Sequence, residues 1–433
     1  MNIENREFIQ LCGDRVRDRM DNPAIAAMLE RALANTLDTT LQPSDQGVFV
    51  ITGDIPAMWL RDSACQMRPY LLFCQHHREL QQMISGVIKQ QIFFITRDPY
   101  ANAFNRQPNG AGHQTDLTDM QPQVWERKYE IDSLCYPLQL AWQFWKITGE
   151  TDHFTPTFAH ACTLILQLWE TEQHHDAHSH YRFQRPNPPA PTDTLSHEGK
   201  GSPVRYTGMT WSGFRPSDDA CDWGYLVPAN FFATVVLGYM EEIARDILHD
   251  NLLCHRAAAL RAFILDGIEK YAVVHHPVYG EMYCYETDGA KNNLLMDDAN
   301  MPSLLSLPML GAMANDDPRY LNTRRFILSV DNPSFRAGRF AQGVGSPHTP
   351  PGYIWPIALA VQGLTARDSR EKLAMIQMMV ATDADTGLMH ESFDPDNPAS
   401  FTRPWFSWAN AMFCELVLDY CDIRLADLIT NKE

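Results

Sequence analysis

Six times along this chain an aromatic and acidic cluster runs directly into an apolar stretch of helical spacing, at residues 58–63, 129–133, 211–219, 295–300, 352–356 and 405–410. Loops that begin helices are where side chains converge on a shared opening. The first residues of the clusters are unevenly spaced, which argues against a stacked helical array of fixed period. Six antiparallel helix pairs closed into a ring tolerate uneven loops. The expected fold is therefore all-α, an (α/α)6 toroid, as one domain over residues 1–433 with a few short β-hairpins in the loops.

Apolar positions at helical spacing predict helices over 8–37, 63–96, 133–148, 154–172, 228–250, 252–274, 302–314, 357–364, 369–382 and 409–429. Strand-like alternation is confined to 48–52, 181–184 and 281–286. Segment 186–203, rich in proline, glycine and polar residues, cannot be helical. Loops of that length inside a compact fold tend to be functional, so an ordered loop beside the pocket is expected.

With 53 acidic against 35 basic side chains and a net charge of −18, nucleic acid and anionic membranes are disfavoured partners. A neutral or cationic small molecule is the easier ligand. The N-terminal residues do not resemble a secretion signal, and no run reaches the roughly 18 apolar residues of a membrane span. The ten cysteines lack paired spacing and several sit in apolar helices, which fits reduced core residues of a cytoplasmic protein.

Indole faces, carboxylates and arginine together suit a sugar ring, whose C–H faces stack on aromatics while its hydroxyls take paired hydrogen bonds. Glycoside cleavage needs two carboxyls on opposite sides of the sugar, hence from different loops. Asp54, Asp62, Glu126, Glu130, Asp132, Asp218, Asp219, Asp297, Asp298 and Glu391 are the candidates. Crowding of Asp218 against Asp219 is expected to raise one carboxyl, as an acid catalyst requires, although Ser217 or Asp218 could instead cap a short helix. Glu391 lies in an otherwise uncharged stretch where desolvation could tune it as a base.

Trp59, Arg61 and Asp62 combine stacking with bidentate recognition of hydroxyls, or form a buried ion pair that holds the loop. Asp297, Asp298 and Asn300 lack the spacing of a calcium loop. The histidine cluster at 174–180 has no second ligand set nearby, so no metal and no cofactor is expected. Phosphate-loop, dinucleotide, serine-hydrolase and zinc-protease motifs are absent.

The strings TGMTWSGFRPSDDAC at 207–221, WLRDS at 59–63 and LMDDANMPSLL at 295–305 resemble glycoside hydrolase family 125. The resemblance runs from about residue 20 to the C-terminus. It implies a metal-independent, inverting exo-α-mannosidase that removes terminal mannose from α-1,6 linkages. By the same resemblance Asp218 is the general acid, with Asp219 as the alternative, and Glu391 is the general base. Substrate contacts are carried over to Trp59, Arg61, Asp62, Glu130, Asp132, Arg215, Asp219, Asp297, Asp298, Asn300 and His348. The expected partners are small mannosides or mannose-terminated oligosaccharides. A glucosidase or trehalase-like enzyme, or a sugar epimerase or binding protein, on the same scaffold is the alternative.

Overall fold

The computed structural model describes residues 3–430. Inner helices Leu60–Leu71, Ile131–Thr148, Val227–Ile243, Pro356–Leu364 and Ser407–Tyr420 alternate with outer helices Pro23–Thr39, Arg78–Arg97, Pro156–Glu172, Asn251–Tyr271, Pro318–Ile327 and Ser369–Ala381. Leu60–Leu71 packs on Ile131–Thr148, which packs on Val227–Ile243, while Ser407–Tyr420 touches both Pro356–Leu364 and Leu60–Leu71 and so closes the ring. This is the expected (α/α)6 toroid, with two- and three-stranded sheets in its loops.

Burial separates the two rings. Every residue of Leu60–Leu71 is buried, as are Ser407 through Leu418 of the last inner helix, so these helices carry no solvent stripe. A polar pair inside this ring must be fully matched. Arg68 meets Glu415 through Nε at 2.9 Å and Nη2 at 2.6 Å, joining two inner helices.

Helix starts differ just as sharply. Each outer helix has a side-chain cap, from Asn22, His77, Thr155, Asp250, Asp317 and Asp368 in turn. The inner helices begin after Trp59, Glu130, Leu226, Trp355 and Phe406, none of which makes a side-chain cap. Their first N–H groups are met by neighbouring loops instead: Leu60 donates to the Asn102 carbonyl at 3.0 Å, Val227 to Tyr285 at 2.9 Å and Ser407 to Thr52 at 3.0 Å. The capping positions of the inner ring are thereby released for aromatic and acidic side chains, and the positive helix ends face the same opening.

The sixth inner position departs from expectation. Residues 302–314 form successive turns rather than a helix. Pro308 and the left-handed Gly311, at φ +85°, interrupt helical hydrogen bonding, and the segment fills the gap beside Tyr239 and Leu364 with buried Leu304, Leu305, Leu307 and Leu310. Elsewhere the expected 63–96 helix divides at His77, and 228–250 ends in a π turn at Ala244–Leu248. Of the expected strand at 181–184, only a Gln184 bridge to Leu117 forms.

Asp297 supplies what the missing helix lacks. Its carboxylate accepts from the backbone N–H groups of Leu304 at 2.8 Å and Leu305 at 2.9 Å. Burial pushes this carboxyl up to about 8 despite those bonds. A raised carboxyl pKa favours the folded state fully below the unfolded value near 3.8, and that contribution is lost as pH rises through about 8. Asp297→Asn is accordingly expected to flatten the fall in melting temperature between pH 5 and pH 8; an unchanged slope would show that Asp297 binds no proton there.

Candidate active site

The inner-helix starts surround a cavity of about 440 Å³. Trp59, Trp355, Phe406 and Trp408 supply aromatic faces, and Arg61, Asp62, Ser217, Asp218, Asn300, His348, Glu391 and Arg403 supply polar groups. Trp59 is held by the strand Met58–Trp59, which pairs with Ala103–Phe104 immediately before the first inner helix. Asp218 projects from a tight turn in which the Asp218 N–H donates to the Arg215 carbonyl at 2.9 Å and the Arg215 N–H to the Asp219 carbonyl at 2.7 Å. Its φ of +67° is left-handed, a region that aspartate tolerates better than most residues. Glu391 immediately precedes the hairpin of Ser392–Asp394 with Asn397–Thr402.

Several polar atoms of the cavity wall have no hydrogen-bond partner among the described residues: Trp59 Nε1, Asp62 Oδ2, Ser217 Oγ and Trp408 Nε1. Buried donors and acceptors are normally paired, so a wall that leaves both kinds free suits a polyhydroxylated ligand.

Arg61 organises the acidic side. Its Nη1 donates to Glu130 at 2.7 Å and Asp132 at 3.1 Å, its Nη2 to Asp218 at 3.1 Å, and its Nε lies 3.4 Å from Asp62. The guanidinium also sits 5.4 Å from the Trp408 ring centre. Four carboxylates thus share this one guanidinium, and burial acts against their charge. Burial raises Glu130 well above the usual carboxyl range against the pull of Arg61, and the like charges of Asp218 and Asp132 add to the rise. Burial likewise lifts Asp62 and Asp132 to about 6. Desolvation acts to raise the part-buried Asp218, but Arg61, Lys128 and His348 together hold it below its ordinary value. Crowding in the Asp218–Asp219 pair is expected from sequence to raise one of its carboxyls; Asp218 is instead lowered, because its dominant neighbours are cations.

Asp219 turns away from the cavity, accepting from Thr192 Oγ1 at 3.0 Å and pairing with His348 Nδ1 at 3.1 Å. Burial opposes the charge on His348, but Asp219 and the nearby Asp218 and Glu391 carry its pKa up to about 9. Segment 186–203 is ordered against the site. Asp193 lines the cavity and takes an ion pair from Arg185 at 3.0 Å, while Arg185 also grips Asp116 and Glu126, each at 2.7 Å.

Of the residues singled out from sequence, Trp59, Arg61, Asp62, Glu126, Asp218, Asn300, His348 and Glu391 line the cavity. Glu130 and Asp132 stand behind it and hold Arg61. Arg215 is spent on Glu286 at 2.6 Å and Asp222 at 3.1 Å, and Asp298 on Asn300 and on Ser346 at 2.9 Å. With Asp297, these lie in the supporting wall rather than at the cavity surface. In the histidine cluster, His175 is bound by Glu172 at 2.6 Å and the Lys200 carbonyl at 2.9 Å, so it serves the core. Sequence reasoning missed Arg403, Lys128, Asp193, His113 and Trp125, all on the cavity wall. Lys128, one residue before the cluster at 129–133, and Arg403, two before the cluster at 405–410, carried the usable signals.

A toroid of helix pairs opening on a cavity lined by carboxyls and indoles fits a carbohydrate-cleaving enzyme, and comparison with known proteins gives that class. The profile of metal-independent alpha-mannosidases, glycoside hydrolase family 125, matches residues 22–418, and the chain belongs to that family. It is thus a glycoside hydrolase, an α-mannosidase. It is 38% identical over 427 residues to the meiotically up-regulated gene 157 protein of Schizosaccharomyces pombe, covering 93% of this chain and 84% of that protein. A Streptococcus pneumoniae metal-independent α-mannosidase, solved as a non-productive complex with α-1,6-mannobiose, is 49% identical, with a TM-score of 0.94 over 97% of this chain and 98% of that one. A wild-type glycosidase structure matches at a TM-score of 0.57 over 94% of this chain and all of that one, at 12% identity, a likeness of fold alone.

Proposed function

We propose that the enzyme removes a terminal mannose from α-1,6-linked mannosides with inversion, Asp218 acting as general acid and Glu391 as general base. The observation that carries this reading is that these two carboxyls, from the third loop cluster and from the hairpin before the sixth, border one aromatic-walled cavity. About 440 Å³ lies toward the lower end of ligand pockets, roughly 300–1,000 Å³, and suits one or two sugar rings rather than a long chain. The 49%-identical streptococcal relative, solved with α-1,6-mannobiose, supports the linkage.

Asp218 donates its proton to the glycosidic oxygen as that bond breaks, and Glu391 takes a proton from the water that attacks the anomeric carbon from the opposite face. An inverting pair stands roughly 6.5–9.5 Å apart to admit that water. Burial raises Glu130 well above the usual carboxyl range while Arg61 holds Asp218 below its ordinary value, so Asp218 must take up a proton before it can act as the acid. Arg61 then stabilises the carboxylate that Asp218 becomes. Free thiols at all ten cysteines fit a reducing compartment, consistent with a cytoplasmic enzyme acting on short imported mannosides.

Proton NMR of α-1,6-mannobiose hydrolysis should show β-mannose as the first product, mutarotating later, at a rate indifferent to EDTA. Appearance of α-mannose first would overturn inversion. Cleavage of glucosides in preference to mannosides would transfer the reading to the glucosidase alternative.

A further inference from the structure

We propose that Arg403 is the positioning residue of Glu391, and that an Asp54–Arg403–Glu391 clamp fixes the carboxylate that activates water. The proposal deepens the reading above and rests on Glu391 being the base.

Every side of the Arg403 guanidinium is engaged. Its Nη1 donates to Glu391 Oε1 at 3.3 Å. Its Nε and Nη2 grip the Asp54 carboxylate at 3.1 and 2.6 Å, and the group lies 4.5 Å from the Phe406 ring centre. No other side chain among the described residues hydrogen-bonds Glu391. Each proposed catalytic carboxyl thus has its own arginine, Arg61 for Asp218 and Arg403 for Glu391.

The backbone is arranged around that contact. Ser392 pairs with Thr402, and the Glu391 N–H donates to the Thr402 carbonyl at 3.3 Å, which brings the base and Arg403 together at the end of one ladder. There the chain leaves the strand, and Arg403 takes φ +40°, a left-handed conformation that a non-glycine residue keeps only when its surroundings over-determine it. Asp54 is anchored as well. Gly53 bridges Phe406, the Asp54 N–H donates to the Trp405 carbonyl at 3.4 Å, and a Cβ on Gly53 would approach that carbonyl oxygen to 2.5 Å.

Pinning Oε1 of Glu391 leaves Oε2 to accept the proton of the attacking water along a fixed direction. Without the pin, a glutamate at a hairpin end samples several rotamers, and misplacement by about 1 Å can cost about 100-fold in rate. Lysine cannot substitute, because one ammonium does not span two carboxylates in a fixed fork.

The test is steady-state kinetics on α-1,6-mannobiose. Arg403→Met is expected to lower kcat about 100-fold with KM within about threefold, and Arg403→Lys to recover little. Arg403→Ala should regain activity with added guanidinium but not with sodium chloride at equal ionic strength, a response that a purely structural role would not give. Asp54→Asn, at the half-exposed rim, should lose about tenfold in kcat at unchanged KM and carries the test if the Arg403 variants do not fold. A raised KM at wild-type kcat would make Arg403 a sugar contact and overturn the clamp, as would wild-type kinetics in both Arg403→Met and Asp54→Asn. Glu391→Gln run alongside separates the two levels: wild-type turnover there removes the base assignment itself, whereas an inactive Glu391→Gln beside a fully active Arg403→Met removes only the clamp.

Discussion

Asp218→Asn is expected to lower kcat on α-1,6-mannobiose by about 1,000-fold while costing far less on 2,4-dinitrophenyl α-mannoside. A positioned general acid contributes about 10²–10⁴ when the leaving group needs a proton, and the sugar alkoxide released from mannobiose needs one urgently. Dinitrophenolate leaves without it, so that substrate bypasses the lost donor. Glu391→Gln should fail on both substrates, because water must be activated whatever group departs. The contrast also decides between the adjacent aspartates. Asp219 is committed to Thr192 and His348 behind the cavity, so Asp219→Asn is expected to weaken both substrates alike through His348. Equal losses on the two substrates in Asp218→Asn, together with a leaving-group-dependent loss in Asp219→Asn, would move the acid one residue along the chain.

The ring and most of its opening were legible because the inner-helix starts obey an unusual local rule. At Trp59, Glu130, Trp355 and Phe406 the position before the helix carries a bulky or acidic group where a capping serine, threonine or aspartate would stabilise an isolated helix. Such a choice makes sense only if neighbouring loops satisfy the helix N–H groups, and the clusters therefore marked the shared face. What could not be read was the direction of each carboxylate within a cluster. Asp297 and Asp298 are neighbours, both buried, yet one closes the turns that replace a helix and the other binds Asn300 and Ser346. The 302–314 stretch has helical apolar spacing, and tertiary space together with Pro308 and Gly311 decided against a helix. Arg403 escaped notice because its significance depends on a hairpin register that pairs it with Glu391, and on Asp54, far away in sequence.

Arg61→Met is expected to be the most damaging substitution away from the reacting pair, costing about 3–5 kcal/mol of stability as well as nearly all activity. The side chain is 4% exposed and faces Asp62, Glu130, Asp132 and Asp218 within 3.4 Å, so its removal leaves buried carboxylates without their counter-charge. The damage must depend on pH, with a sign that follows from proton binding. Burial already raises Glu130, Asp62 and Asp132, and each loses the pull of Arg61 in the variant. Raised groups favour the folded state below their unfolded values and forfeit that favour as pH climbs through the folded ones. Asp218 runs the other way in the wild type: its lowered pKa contributes stability above the unfolded value of 3.8, and the variant loses that contribution. Both effects deepen the deficit in the same direction, so urea unfolding should show Arg61→Met closer to wild type at pH 5 than at pH 8. Arg61→Lys should recover only part of the loss, since a single ammonium cannot address carboxylates lying on several sides of a planar guanidinium. A deficit of equal size at both pH values would mean that Glu130, Asp62 and Asp132 are not raised and Asp218 is not lowered in the folded protein.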